Sequence, residues 1–430
     1  MQGSSSVARS TIGTDRNPVD AEAVEAAVKR LDGVAVRTPL QRNLRLSERT
    51  GAQVWLKRED LQIGRSYKLR GAYNLIAQLD DAAKAAGVVC ASAGNHGQGL
   101  AYSCHILGVH GKVYVPRTTP RQKRDRIAAL GGKQIQVIIT GDTYDDAAAA
   151  AQAEVEATGA TMVPAFDDPR TVAGQGTVAV ELVDQLGQAP DVLVVPVGGG
   201  GLIAGVATWL AGRHPGVRIV GVEPAGAASM AAALEAGEPV TLPHLDSFVD
   251  GAAVRRVGDV TLPLVAATGV EMMSVPEGLV CSEMLELYQT DGLIAEPAGA
   301  LSTGALGNGL DVRPGETVVC LLSGGNNDVS RYGEILERSL VYEGLKHYFL
   351  VTFPQEPGAL RAFLDEALGP DDDITLFEYV KRNNRETGVA LVGIEISRPG
   401  DLDGLLTRME AAPLDIERIN PNSPEFRYLI

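Results

Sequence analysis

The sequence is short of positive charge: 38 lysines and arginines face 54 aspartates and glutamates, a formal net charge of −16. That deficit excludes nucleic acid or an anionic membrane as a partner, since both require basic patches. It leaves room for a small anionic ligand held by local backbone N–H groups. Aromatic residues are also scarce, at 5%, while glycine is abundant, with 49 residues, which favours an α/β protein with tight loops. There are four cysteines (Cys90, Cys104, Cys281 and Cys320) and no paired spacing among them. They read as small buried residues in a reducing compartment, which excludes a disulfide or zinc framework. Residues 1–17 are serine-rich and contain no apolar stretch before a cleavage site, so they read as a flexible tail and the protein as cytoplasmic. Val192 to Gly212 carries no charge over a length that could span a bilayer. Its centre, Pro196-Val197-Gly198-Gly199-Gly200-Gly201, reads instead as buried strand, loop and buried helix.

At 430 residues the chain is too long for one compact core. Short β-branched runs alternate with helical patterns through most of it, the signature of a parallel-sheet α/β architecture. Expected strands are Val54–Lys57, Val88–Ala91, Lys112–Val115, Ile135–Ile139, Val192–Val197, Ile219–Glu223 and Thr317–Leu322, with helices such as Asp145–Thr158 and Gln175–Gln185 between them. The order changes near residue 335. Lys346–Thr352, Gly358–Ala367, Ile374–Asn383, Thr387–Ile396 and Asp401–Ala411 follow as strand, helix, strand, strand and helix, and then extended chain. That order fits a small ferredoxin-like α+β module with a polar turn at Arg385-Glu386. The expected division is a tail at 1–17, a two-lobed α/β unit at 18–335 and the module at 336–430.

Four segments carry chemistry. In Ser66-Tyr67-Lys68-Leu69-Arg70-Gly71-Ala72, Lys68 stands at or just before the start of a helix running through Leu79. A lysine that sheds its proton can form an imine with an aldehyde, and the cations Arg65 and Arg70 would favour this if the fold kept them near. By itself Lys68 could equally be a solvated surface residue. Next comes Ser92-Ala93-Gly94-Asn95-His96-Gly97-Gln98-Gly99, after an apolar strand and opening a helix to about Leu107. Its small residues let N–H groups approach an anion at the helix N-terminus. Asn95 alone could be a simple N-cap and His96 a packed side chain. The third is the tetraglycine Gly198–Gly201 with Leu202, whose backbone donors can wrap a phosphate. It also matches the dinucleotide fingerprint Gly199-x-Gly201-x-x-Ala204, with Glu223 where a ribose-binding acid would stand. The fourth is Ser323-Gly324-Gly325-Asn326-Asn327, which ends a late strand.

Together these segments resemble the fold-type II pyridoxal-phosphate enzymes, tryptophan synthase β-like, and most closely the threonine dehydratases. The resemblance covers Pro18 to Ile430. It implies that Lys68 is the cofactor-binding and catalytic lysine. It implies that Asn95 hydrogen-bonds the cofactor's phenolic oxygen and that Gly198, Gly199, Gly200, Gly201 and Leu202 hold its phosphate. Ser323 would meet the pyridine nitrogen, where a neutral hydroxyl weakens the ring as an electron sink and favours β-elimination over transamination. Ser92, Ala93, Gly94 and Asn95 would bind the substrate carboxylate. Phe166-Asp167-Asp168-Pro169 and Ala173-Gly174-Gln175-Gly176-Thr177 resemble a further family segment, and Glu296-Pro297-Ala298-Gly299-Ala300 resembles the one in which a glutamate lies near the ring. Ser229 stands where some relatives place a second metal-binding acid after Glu223, so no metal is expected.

Gln355-Glu356-Pro357-Gly358-Ala359-Leu360 resembles the effector loop of ACT-type regulatory domains. The implied activity is dehydration and deamination of L-threonine to 2-oxobutanoate and ammonia. It would be the first step of isoleucine synthesis, by a homotetramer inhibited by isoleucine at a single C-terminal module. The other readings are a serine dehydratase or racemase, a threonine synthase, or a non-catalytic sensor of the same fold.

Overall fold

A computed structural model describes residues 18–380, 385–421, 423, 426 and 429. The expected tail at 1–17, and Lys381–Asn383 of one expected strand, lie outside the described residues. The first half of the chain forms β1 (Leu40–Arg42), β2 (Gln53–Arg58), β3 (Val88–Ala91), β4 (Gly111–Val115), β5 (Ile135–Ile139), β6 (Thr161–Met162) and β7 (Val192–Pro196). The second half forms β8 (Arg218–Pro224), β9 (Glu271–Val275), β10 (Thr317–Leu322), β11 (Lys346–Pro354), β12 (Asp373–Tyr379), β13 (Thr387–Glu395) and β14 (Asp415–Arg418).

These strands make three sheets. A parallel four-stranded sheet has the order β5-β4-β3-β6. A six-stranded sheet has the order β1-β2-β10-β7-β8-β9, parallel except for the edge strand β1. Burial follows from composition. Val192 to Val195 of β7 are all within 1% of full burial, as expected for a central strand covered by helices on both faces. Each such valine contributes about 1.5–3 kcal/mol through the apolar area it removes from water. Val192–Gly212 is thus a core strand, a glycine turn and the helix Gly201–Arg213, and no described helix is long and apolar enough to cross a membrane. All four cysteines are free and buried.

The third sheet is antiparallel, order β12-β13-β11-β14, with the helices Ala359–Glu366 and Leu402–Ala411 packed on one face. Residues 415–418, expected only as extended chain, form β14 against β11 and complete a ferredoxin-like fold. The expected junction at 335/336 falls inside the continuous helix Tyr332–Tyr342. Ile335 of that helix belongs to the core beneath the six-stranded sheet.

Topology gathers the chemical segments. The C-terminal ends of β2, β3, β7 and β10 lead into the stretches that carry Lys68, Ser92–Asn95, Gly198–Gly201 and Ser323–Asn327, the edge of an open α/β sheet where ligands bind. The helices Lys68–Ala77 and Asn95–Leu107 meet closely at Gly99, where a Cβ would come 2.9 Å from Leu69 N and 3.0 Å from the Lys68 carbonyl carbon. Backbone cannot yield there as a flexible side chain would. Gly99→Val is therefore expected to destabilise the protein by about 3 kcal/mol, read as a lower urea midpoint; an unchanged midpoint would refute the close packing.

Candidate active site

Lys68 is the first residue of the helix Lys68–Ala77. The turn before it holds Arg65 at φ +53°, the one non-glycine residue with positive φ among the described residues. That conformation costs on the order of 1 kcal/mol. It is held by Gly325 N–H donating to the Arg65 carbonyl (3.0 Å) and Tyr67 N–H donating to the Ser323 carbonyl (3.3 Å). The lysine Nζ donates to the Ala165 carbonyl at 3.2 Å and lies 5.3 Å from the Tyr67 ring centroid. Among the described residues no carboxylate pairs with it, so the amine is not locked into an ion pair.

One expectation about its neighbours is corrected. Arg70 does not serve as a cation beside Lys68, because residues two apart on a helix point to different sides. Its buried guanidinium turns inward to Glu59 (2.8 Å) and Glu181 (2.8 Å). Fully buried Lys57 joins the same cluster through Glu181 at 2.6 Å. Burial alone would raise the Glu59 carboxyl, but the Arg70 charge and hydrogen bonds hold it below the usual carboxylate range.

A cavity of about 1420 Å³ opens beside Lys68, and Ser92–Asn95, Gly198–Leu202, Phe166 and Glu296 line it. The tetraglycine is walled in on three sides. A Cβ at Gly199 would overlap the Phe166 ring, one at Gly198 would lie 3.0 Å from Ala252 Cα, and one at Gly200 would meet Met230 and Thr261. Gly200 also sits at φ +92°, in the left-handed region. Thr261 Oγ1 donates to the Gly199 carbonyl at 2.7 Å, tying that oxygen back. No protein acceptor among the described residues takes the N–H groups of Gly198 to Leu202, which stand at the N-terminus of the helix Gly201–Arg213. A ring of such donors with the helix dipole behind it can hold a phosphate. The second loop is less open. Asn95 begins the helix Asn95–Leu107, and a Cβ at Gly94 would meet no protein atom. The N–H groups of Ser92 and Gly94, however, donate to the Tyr114 carbonyl (3.2 Å) and Ser92 Oγ (3.3 Å), leaving those of Ala93 and Asn95. An aldehyde-accepting amine, a phosphate cradle and a carboxylate cradle in one cavity fit pyridoxal phosphate and an amino acid.

Asn95 is not the N-cap, which is Gly94. Its Nδ2 donates to Glu296 Oε1 at 2.6 Å, and its Oδ1 accepts from Asn326 Nδ2. Asn326 N–H donates to Glu296 Oε2 at 3.2 Å. Burial, then the Asp250 charge, push the Glu296 carboxyl up to about 7, while the Asn95 and Asn326 hydrogen bonds pull the other way. Sequence reasoning missed Asn326 and the wall made by Phe166; the adjacent Asn326-Asn327 pair after Gly324-Gly325 was the available signal. His96 keeps its packed role. Its Nε2 bonds the Val163 carbonyl at 2.7 Å, and burial, then the Lys68 charge, push it down to about 4. Ser323 ends β10 and is buried, with its hydroxyl donating to the Ala298 carbonyl at 3.4 Å. It is not among the cavity-lining residues, although Glu296 and Asn326 beside it are.

The dinucleotide alternative loses its acid. Glu223 is buried, and its two oxygens accept from the N–H groups of Met230 (2.6 Å) and Ala231 (2.9 Å) at the start of the helix Ser229–Ala236. Among the described residues no group of three metal-ligating side chains is present.

Two outcomes follow from this geometry. Gly199→Ala is expected to weaken pyridoxal phosphate binding at least roughly tenfold, about 1.4 kcal/mol, measured by cofactor titration of the apoprotein; unchanged affinity would refute the cradle. The Glu296 pKa lies above its unfolded value, so the folded protein binds the extra proton and is more stable at low pH. That contribution, up to about 3 kcal/mol, is complete below pH 4.5 and lost as pH rises to about 7. Urea midpoints of the apoprotein across that window should fall less steeply for Glu296→Gln than for the parent.

Known proteins share this arrangement. The family described as pyridoxal-phosphate dependent enzyme matches residues 31–324, and the C-terminal regulatory domain of threonine dehydratase matches residues 337–429. The biosynthetic L-threonine dehydratase of Mycobacterium tuberculosis is 65% identical over 409 residues, covering 95% of each chain. That of Bacillus subtilis is 50% identical over 404 residues, covering 94% of this chain and 96% of its own. Among solved structures, processed threonine deaminase isoform 2 of Solanum lycopersicum superposes with a TM-score of 0.70 at 35% identity, covering 78% of this chain and 99% of its own. Maize serine racemase gives 0.69 at 28% identity, covering 76% and 99%. The chain therefore belongs to the pyridoxal-phosphate dependent enzymes, in the family of the biosynthetic threonine dehydratases.

Proposed function

We propose that this protein converts L-threonine to 2-oxobutanoate and ammonia, the first step of isoleucine biosynthesis. The observation that carries the reading is the convergence in one cavity of the Lys68 amine, which no carboxylate pairs, the free N–H groups of Gly198–Leu202 and the small-residue loop Ser92–Asn95. Bound pyridoxal phosphate supplies an aldehyde for an amino group and a ring that withdraws electrons from the α-carbon. The residues of this chain do the rest. Lys68 Nζ would hold the cofactor covalently and, as a free amine, would take the substrate α-proton as general base. Gly198–Leu202 bind the phosphate, and Ser92–Asn95 fix the substrate carboxylate and so orient the α-C–H bond towards Lys68. Asn95 orients the ring with Glu296 and Asn326 behind it. Ser323 is assigned to the pyridine nitrogen, where a neutral hydroxyl leaves the ring a modest electron sink. Expulsion of the β-hydroxyl then competes with reprotonation.

The regulatory unit, residues 336–430, is assigned to isoleucine binding and feedback inhibition, supported by the family match over 337–429. The same reading takes the enzyme to be a cytoplasmic homotetramer. A serine dehydratase or racemase is the second reading, favoured by the superposition on serine racemase. The test is 2-oxobutanoate release by the purified holoenzyme from L-threonine and from L-serine, with and without isoleucine. Threonine is expected to be the better substrate and isoleucine to suppress its turnover. Lys68→Ala should reduce turnover by about a thousandfold or more. A preference for serine, or turnover that survives in Lys68→Ala, would overturn the assignment.

A further inference from the structure

The helix Tyr332–Tyr342, with Arg331 as its N-cap, touches the regulatory sheet through one side chain and the loop at the cavity mouth through others, its backbone joining the two sets of contacts. On the regulatory side, Glu337 accepts from Lys346 Nζ at 2.6 Å and from the Tyr348 hydroxyl, both on β11. The Lys346 side chain is only 8% exposed, so it cannot trade this partner for water without loss. On the catalytic side, the guanidinium carbons of Arg338 and Arg331 lie 4.3 and 4.7 Å from the Phe248 ring centroid. Arg331 Nη2 also donates to the Phe248 carbonyl at 2.8 Å. Two residues further along that loop stands Asp250, which lines the cavity.

Asp250 is shared between two cations. Its Oδ1 lies 3.8 Å from Arg331 Nη1, and its Oδ2 lies 3.2 Å from Lys123 Nζ. Lys123 belongs to the helix Arg121–Gly131, which leads into the four-stranded sheet, and it also lines the cavity. The Lys123–Asp250 pair therefore bridges the mouth between the two lobes. We propose, resting on the feedback reading above, that Glu337, Arg338 and Arg331 transmit effector binding to this bridge. The helix is the lever: eleven residues in one rigid rod about 16 Å long. A shift of β11 moves Glu337 through its buried partners, and the helix carries Arg331 and Arg338 across the Phe248 ring. Because one carboxylate serves both Arg331 and Lys123, drawing Asp250 towards Arg331 weakens its hold on Lys123 and loosens lobe closure. None of Glu337, Arg338 or Arg331 lines the cavity, so they act as positioning residues and touch no reacting atom.

The test uses full-length holoenzyme, the parent beside Glu337→Gln and Arg338→Met. Threonine turnover is followed against isoleucine concentration, and isoleucine binding is measured by calorimetry. Both variants are expected to bind isoleucine within about threefold of the parent, yet to need at least about tenfold more for half-inhibition, a loss within the ordinary range of allosteric coupling. Variants inhibited with the parent's concentration dependence would overturn the coupling route while leaving the feedback reading intact. Arg338→Met carries the decision, because it leaves the regulatory sheet untouched. Loss of isoleucine binding together with inhibition in Arg338→Met would also overturn the route. A parent indifferent to isoleucine would sink the feedback reading and this inference with it.

Discussion

The position of Lys68 depends on a charge cluster that faces away from it. Arg70, two residues along the same helix, is buried between Glu59 and Glu181, and Lys57 of β2 joins through Glu181 and the Thr38 carbonyl. Two cations and two carboxylates leave no net charge in the core, and each is hydrogen-bonded, the condition under which buried ions are tolerated. Removing one partner from such a group costs about 3–5 kcal/mol. The cluster joins three elements: β2, the Lys68 helix and the helix Pro169–Leu186. It therefore fixes the helix on the side opposite the cavity and leaves the Lys68 amine free of carboxylates.

The cavity shows the complementary principle. Where the core satisfies every charge, the ligand edge leaves backbone donors without protein acceptors. The tetraglycine does this under steric pressure from Phe166, Ala252 and Thr261, so that no side chain fits at its positions. Asn95, Glu296 and Asn326 form a polar network of side chains that lines this space. A buried carboxyl pushed up to about 7 beside the ring site is the kind of perturbed group that functional sites collect.

Much of this was legible in the chain. Val88–Ala91 and Thr317–Leu322 begin and end where their apolar runs do, because these strands are buried and composition marks them. Ile135–Ile139, a partly exposed edge strand, is marked by its β-branched residues instead. The helix reaching Leu107 stops at a left-handed glycine, Gly108. By contrast Asp415–Arg418 was read only as extended chain. Its sequence, Asp-Ile-Glu-Arg, is mostly charged, and it is a strand through its pairing with β11. The pairing is a long-range fact with no local signature.

The sequence alone determined the chemistry available: a lysine at a helix start and two small-residue loops after apolar strands. These are properties of local spacing, and local spacing survives without the fold. Tertiary structure decided direction and partnership. It turned Arg70 inward, committed Glu223 to a helix N-terminus, set Ser323 behind the cavity lining, and brought Asn326 and Phe166 to residues far away in the chain. Such outcomes depend on burial and on hydrogen bonds between groups that the fold brings together, some near in the chain, as Glu223 and Met230, and some far apart, as Asn95 and Asn326. Local spacing does not say which partners meet.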